Sequence, residues 1–131
     1  MRAGASEVLG YAAEALMLAG DREGAEARLC QALAVANELD ERVYLPQLLL
    51  LEAGIARAQG RGDAGAASAR RAVMEARAQE APWVELLALA DLCEHSGATA
   101  EERAALAALA GRLPEAADTE PARRARALAA T

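Results

Sequence analysis

The sequence predicts an all-α fold: an α-solenoid of three antiparallel helix pairs, closed by a C-terminal helix. Three observations carry this. Apolar residues make up 54 % but aromatics only 2 %, with no Phe, so the core must be built from aliphatic side chains with almost no rings. Ala (38 of 131 residues) and Leu dominate, and both are strong helix formers, whereas β-branched strand formers are few. No segment alternates apolar and polar residues over the length of a strand.

The elements follow in order. An apolar-periodic run from about Glu7 to Ala19 is interrupted at Gly20-Asp21. A second run goes from about Glu23 to Leu39 and ends at Asp40-Glu41. A third opens at Tyr44-Leu45-Pro46 and stops at Gly60-Arg61-Gly62. Pro46 is tolerated because the first helical turn has no intrahelical use for its amide. A fourth run, from about Asp63 to Glu80, is closed by Ala81-Pro82. A fifth begins at Pro82-Trp83 and ends at Ser96-Gly97. Thr99-Ala100-Glu101-Glu102 has the form of a capping box and opens a sixth run to about Leu113-Pro114. A last short helix is expected over 119–130. Connections this short make successive helices antiparallel neighbours. The pairs then cover about 6–40, 42–80 and 82–114, within one domain spanning 1–131.

The pattern repeats. A shift of 40 residues places Leu9 on Leu49, Ala13 on Ala53, Gly20 on Gly60, Ala32-Leu33 on Ala72-Val73 and Ala36 on Ala76. The third pair keeps the repeat only in its first helix, where Leu86, Ala90 and Gly97 lie 37 residues after Leu49, Ala53 and Gly60. Leu89 breaks that register, since its counterpart is Glu52. A fixed period of this size with helix–turn–helix content marks an α-solenoid.

These residues resemble the tetratricopeptide repeat family. The first unit supplies Leu9, Ala13, Leu16, Gly20, Ala25, Leu29, Ala32 and Leu33. The second supplies Leu49, Ala53, Ala56, Gly60, Gly65, Ala69, Ala72 and Val73. The family's usual aromatics are replaced at Leu16, Leu29, Ala56 and Ala69. The longer unit is similar to the C-terminal repeat region of large bacterial signal-transduction ATPases, some of them transcriptional regulators. That likeness is carried by Tyr44-Leu45-Pro46-Gln47-Leu48-Leu49, Ala58-Gln59-Gly60-Arg61, Ala81-Pro82-Trp83-Val84-Glu85-Leu86 and Ala117-Asp118-Thr119-Glu120, and covers roughly 10–128. There is no Gly-x-x-x-x-Gly-Lys-Ser/Thr loop and no Lys at all. The resemblance therefore implies the repeat region alone, as part of a bacterial regulator or as a free adaptor.

In that family the first helix of each pair lines a concave groove. The resemblance places Glu7, Gly10, Glu14, Met17 and Leu18 there from the first unit. From the second it places Gln47, Leu50, Gly54, Arg57 and Ala58, and from the third Val84, Leu87, Asp91, Glu94 and His95. Such a groove has an apolar floor with acidic rims at Glu7, Glu14, Asp91 and Glu94. It suits a protein or peptide partner with apolar anchors and basic flanks. The family's receptors for terminal carboxylates use Lys, Asn and Arg, and only Arg57 is of that kind here.

Charge and composition narrow the function further. The net charge is −6, from 20 acidic and 14 basic residues, all of the latter Arg. An acidic balance lacks the basic face of a nucleic-acid binder and disfavours an anionic membrane. Leu48 to Leu51 is far shorter than the roughly 20 residues needed to span a bilayer, and Met1-Arg2-Ala3-Gly4 opens no signal peptide. Isolated Cys30 and Cys93 read as reduced, buried thiols, so the expected location is the cytoplasm.

No residue set assembles into chemistry. Cys93-Glu94-His95 holds the only imidazole, too few ligands for a metal, and reads as a buried thiol beside a solvated His. Glu101-Glu102 offset exposed amides at a helix start, and Asp40-Glu41 belong to a solvated turn. Arg123, Arg124 and Arg126 form a solvated basic face. Trp83 is expected to pack across the junction between the second and third pairs. With no catalytic set, metal or cofactor, the expected function is a non-catalytic protein–protein interaction module. The alternatives are a small-molecule sensor closing over an apolar effector, and homodimerisation through an exposed end face of Leu106, Leu109 and Leu113.

Overall fold

The computed structural model describes residues 5–38, 42–95 and 98–113, together with Arg123, Ala127 and Leu128. Six helices follow one another: α1 (Ala5–Leu18), α2 (Arg22–Glu38), α3 (Leu45–Ala58), α4 (Gly62–Ala78), α5 (Pro82–Glu94) and α6 (Ala100–Gly111). A 3-10 turn, Arg42–Tyr44, leads into α3. No strand occurs among the described residues, and the chain is all-α as its composition requires. The expected turns at Asp40-Glu41 and Ser96-Gly97 and most of the expected 119–130 helix lie outside the described residues. Arg123, Ala127 and Leu128 are helical.

Three of the turns share one geometry. At the end of α1 the Gly20 amide donates to the Met17 carbonyl (3.0 Å) and the Asp21 amide to that of Leu16 (2.8 Å). After α3, Gly60 donates to Arg57 (3.0 Å) and Arg61 to Ala56 (2.8 Å). After α4, Glu80 donates to Arg77 (3.1 Å) and Ala81 to Ala76 (2.9 Å). This crossed pair is the Schellman arrangement, which satisfies the last carbonyls of a helix and needs one left-handed residue. Gly20 (φ +87°) and Gly60 (φ +78°) adopt that conformation without a Cβ clash, whereas Glu80 is held at φ +53°.

The next residue in each turn stands at the N-cap of the following helix. The carbonyls of Asp21, Arg61 and Ala81 accept from the amides of Ala25, Gly65 and Glu85, each at 3.0 Å. Asp21 also caps α2, its Oδ1 accepting from the Gly24 amide at 3.0 Å. Pro82 fills the first position of α5. At α6 the capping box is present, with Glu102 N donating to Thr99 Oγ1 (3.1 Å) and Thr99 N to Glu102 Oε1 (2.8 Å).

Contacts group the chain into two compact units, 1–68 and 69–131, dividing within α4 and not between the expected pairs. In the first unit α2 packs against both α1 and α3. Its core holds Ala13, Ala25, Leu29, Ala32, Ala36, Leu48 and Ile55, flanked by Leu9, Leu16, Met17, Leu33 and Leu51. The first half of α4 runs close along α3. A Cβ at Gly65 would stand 3.0 Å from the Ala53 carbonyl oxygen and 2.8 Å from Arg57 Cγ. One turn on, Ser68 Oγ donates to Glu52 Oε1 at 2.7 Å.

In the second unit α5 packs against α6, and Leu86, Leu89, Leu92, Leu106 and Leu109 are buried. Each such Leu contributes about 1.5–3 kcal/mol by leaving water. Two ion pairs join the helices. Arg77 Nε meets Glu85 Oε2 at 2.8 Å across the α4–α5 turn. Arg70 of α4 makes a fork to Glu102 of α6, Nε to Oε2 at 2.8 Å and Nη2 to Oε1 at 3.1 Å.

Candidate functional site

Two parallel stripes of residues meet in the first unit. On α1 the stripe is Glu7, Gly10, Tyr11 and Glu14. On the 3-10 turn and α3 it is Tyr44, Gln47, Leu48 and Leu51. Each follows the i, i+3, i+4, i+7 spacing that puts residues on one helical face. Together they enclose a cleft of about 120 Å³. Gly10 is buried, and a Cβ there would meet Leu48 Cδ2 at 2.8 Å, so the missing side chain is what admits Leu48 to the floor.

The polar groups of this cleft are organised around Glu7. Tyr11 Oη donates to Glu7 Oε1 at 2.6 Å. The Tyr44 hydroxyl donates to the same carboxylate. Bonds to the charged form favour it, so the Glu7 carboxyl is held below its ordinary pKa, Tyr11 contributing most and Tyr44 next. The same bond and the adjoining negative charge push the Tyr11 phenol up. Glu14, one turn beyond Tyr11, is exposed. Among the described residues two carboxylates line the cleft and no basic side chain does.

A second, more polar cleft of about 330 Å³ lies among α2, α3 and the first half of α4. It is lined by Glu26, Leu29, Cys30, Glu52, Ile55, Ala56, Arg61, Ala64 and Ser68. Gln59 Nε2 donates to Glu26, Arg61 to Gln59 Oε1, and Arg22 to the Ala58 carbonyl. This web ties the end of α3 to the start of α2. Cys30 is exposed at its edge, not buried as expected. The buried positions of α2 are Ala25, Leu29, Ala32 and Ala36, and Cys30 falls one residue off that face.

The groove residues expected from the repeat divide between several places. Glu7, Gly10, Glu14 and Gln47 come together in the first cleft. Met17 does not; it packs against the core of α1, α2 and α3. Leu50 is half-buried and Gly54 exposed, both outside the cleft, and Arg57 lies along α4 over Gly65. The reason is the face of α3 that meets α1. The stripe 44, 47, 48, 51 lies roughly a quarter-turn round the helix from 47, 50, 54, 57. Leu18 is 85 % exposed. Sequence reasoning missed Tyr11, Tyr44, Leu48 and Leu51 as members of this cleft.

The remaining candidates lie in the second unit. Leu87 and Asp91 are half-buried and Glu94 exposed on α5. His95 Nδ1 lies 2.9 Å from the Asp91 carbonyl and 3.9 Å from its carboxylate at the end of that helix. Cys93 is buried, and burial pushes its thiol pKa up. Trp83 is half-buried. Glu102 serves the capping box and Arg70 at once, and Arg70 chiefly holds its carboxyl below the ordinary range. Leu106 and Leu109 are buried, so they do not form the exposed end face expected of them, and Leu113 is half-buried. Among the described residues no group of three His, Cys, Asp or Glu is placed to hold a metal ion, and no helix is long and apolar enough to cross a membrane. Arg124 and Arg126 lie outside the described residues; Arg123 is exposed.

Comparison with known protein families, with curated proteins and with solved structures finds no match for this chain.

Proposed function

We propose that this chain is a non-catalytic protein-binding module, a repeat scaffold of the tetratricopeptide type belonging to a bacterial regulatory protein or acting as a free cytoplasmic adaptor. The observation that carries the reading is the cleft between α1 and the α3 stripe. It has an apolar floor in Leu48 and Leu51 and an acidic, hydroxyl-bearing rim in Glu7, Tyr11, Glu14 and Tyr44. That is the chemistry of a groove that takes a peptide with apolar anchors and basic flanks. Both cysteines are free thiols, in keeping with a reducing compartment. The α1–α3 cleft, near 120 Å³, falls short of the ≈ 300–1,000 Å³ typical of small-molecule sites, and the cleft of about 330 Å³ has too polar a lining for a sensor's apolar effector, which favours a peptide.

The test is selection of binding peptides from a random-sequence display library against the purified chain. Enriched peptides should combine Leu-type anchors with basic residues, and Glu7→Arg with Glu14→Arg should abolish their binding while leaving the helical circular dichroism intact. Peptides that bind the double variant as tightly as the native chain would defeat the reading. Light scattering across a dilution series should give a monomer mass throughout.

A further inference from the structure

We propose that the α1–α3 cleft is the receptor for a single arginine side chain presented by a protein partner; this deepens the protein-binding reading and depends on it. Glu7, Tyr11 and Glu14 follow one another at i, i+4 and i+7 along α1, so the phenol ring stands between two carboxylates on one face. Tyr44 and Gln47 face them from the other stripe. The Glu7 carboxylate is preorganised: Tyr11 donates to it at 2.6 Å and Tyr44 donates as well. A carboxylate offers about four lone-pair sites, so two phenols leave room for two further donors. Among the described residues no basic side chain lines the cleft, and its two negative charges suit a cation brought by a partner.

The shape selects among cations. The cleft has room for the end of one side chain. A guanidinium is planar, weakly hydrated and carries five N–H donors in a fixed fork. It stacks on a tyrosine face while its edge reaches Glu7 and the Gln47 carbonyl. An ammonium is more strongly hydrated and offers no plane to stack. The aliphatic stem of arginine suits the apolar contact at Leu48.

The experiment uses the full chain and four otherwise identical short peptides of Leu, Ala and Ser, carrying Arg, Lys, citrulline or Leu at the centre. Citrulline keeps the shape of arginine and removes its charge. Binding is followed through the NMR resonances of Tyr11, Tyr44 and the Leu48 methyls. The arginine peptide should bind tightest, about tenfold above citrulline, with lysine between them. Glu7→Gln should weaken the arginine peptide about tenfold and leave the leucine peptide unchanged. Glu14→Gln, at an exposed site, serves as the second variant and should weaken it less. Equal binding of the arginine and citrulline peptides, at shifted cleft resonances, would overturn the arginine assignment while leaving the peptide-binding reading in place. Cleft resonances unmoved by all four peptides would overturn both.

Discussion

The two units are packed from the same residue types in different proportions. The first is built largely on alanine: Ala13, Ala25, Ala32 and Ala53 are fully inaccessible, joined by Leu29, Leu48 and Leu49. The second buries as many fully inaccessible alanines, Ala69, Ala72, Ala76 and Ala88, but adds five leucines, Leu86, Leu89, Leu92, Leu106 and Leu109, all essentially inaccessible. Alanine lets helix backbones approach closely but gives nothing long enough to fill the space beside the contact. Both clefts described above lie in the first unit. Tyr11 (63 % exposed) stands out over one of them. In the second unit the polar contacts tie helices together, in the Arg70–Glu102 fork and the Arg77–Glu85 pair.

The largest effect follows from that difference. Leu89→Ala should destabilise the chain by about 3 kcal/mol, because a fully buried leucine leaves a cavity that its neighbours only partly close. Urea denaturation measures it, and a loss below 1 kcal/mol would show that the leucine packing is looser than described. The counterpart in the first unit is Gly65→Ala. The added methyl would press on the Ala53 carbonyl oxygen at 3.0 Å, a backbone atom that cannot turn aside. Overpacking of this kind costs about 1–3 kcal/mol, and alanine's better helix propensity returns about 1. A net loss of about 1–2 kcal/mol is expected. A net gain would mean that α4 does not lie close on α3.

A smaller effect tests the polar fastening of the second unit. Glu102→Ala should cost about 1 kcal/mol at neutral pH, through the lost cap and a partly exposed ion pair. The pH dependence has a definite sign. The folded carboxyl has a pKa below its unfolded value, chiefly because of Arg70. Its contribution is therefore fully present above the ordinary glutamate range and is lost as the pH falls through the folded pKa. The gap between native chain and variant should narrow in acid. Urea midpoints at neutral pH and in acid decide the matter, and a gap of constant size would assign the whole effect to uncharged cap geometry.

The residues that could be read locally were read well. Gly20, Gly60, Pro46, Pro82 and the Thr99–Glu102 box act within a few residues of themselves, so the six helices and their ends follow from the sequence. What depended on tertiary contact did not. Arg70 and Glu102 are 32 residues apart and nothing local joins them. The face that α3 turns toward α1 was obscured because its unbroken run Leu48 to Leu51 puts leucine on every side of the helix and gives little contrast between a buried and an exposed face. Leu50, Gly54 and Arg57 were expected in the cleft because the family resemblance placed them there, while Tyr11 and Tyr44 went unnoticed. Cys30 illustrates the same weakness, an apolar-looking position one residue off the packed face of α2.

The turn after α4 was legible in position but not in cost. It repeats the hydrogen bonding of the turns after α1 and α3, yet it holds Glu80 and not glycine at the left-handed position. A side chain there crowds its Cβ against the backbone, at about 1 kcal/mol. Glycine removes that crowding but gives the unfolded chain more freedom, which offsets part of the gain. Glu80→Gly should therefore stabilise by about 0.5–1 kcal/mol and raise Tm by a few degrees. Gly60→Ala, in the first unit, should destabilise by a similar amount, since it has open space but the wrong φ for a side chain. Opposite signs of similar size in the two variants would establish that one turn geometry serves both units. A loss of stability in Glu80→Gly would mean that the Glu80 side chain contributes more at this turn than its backbone strain costs.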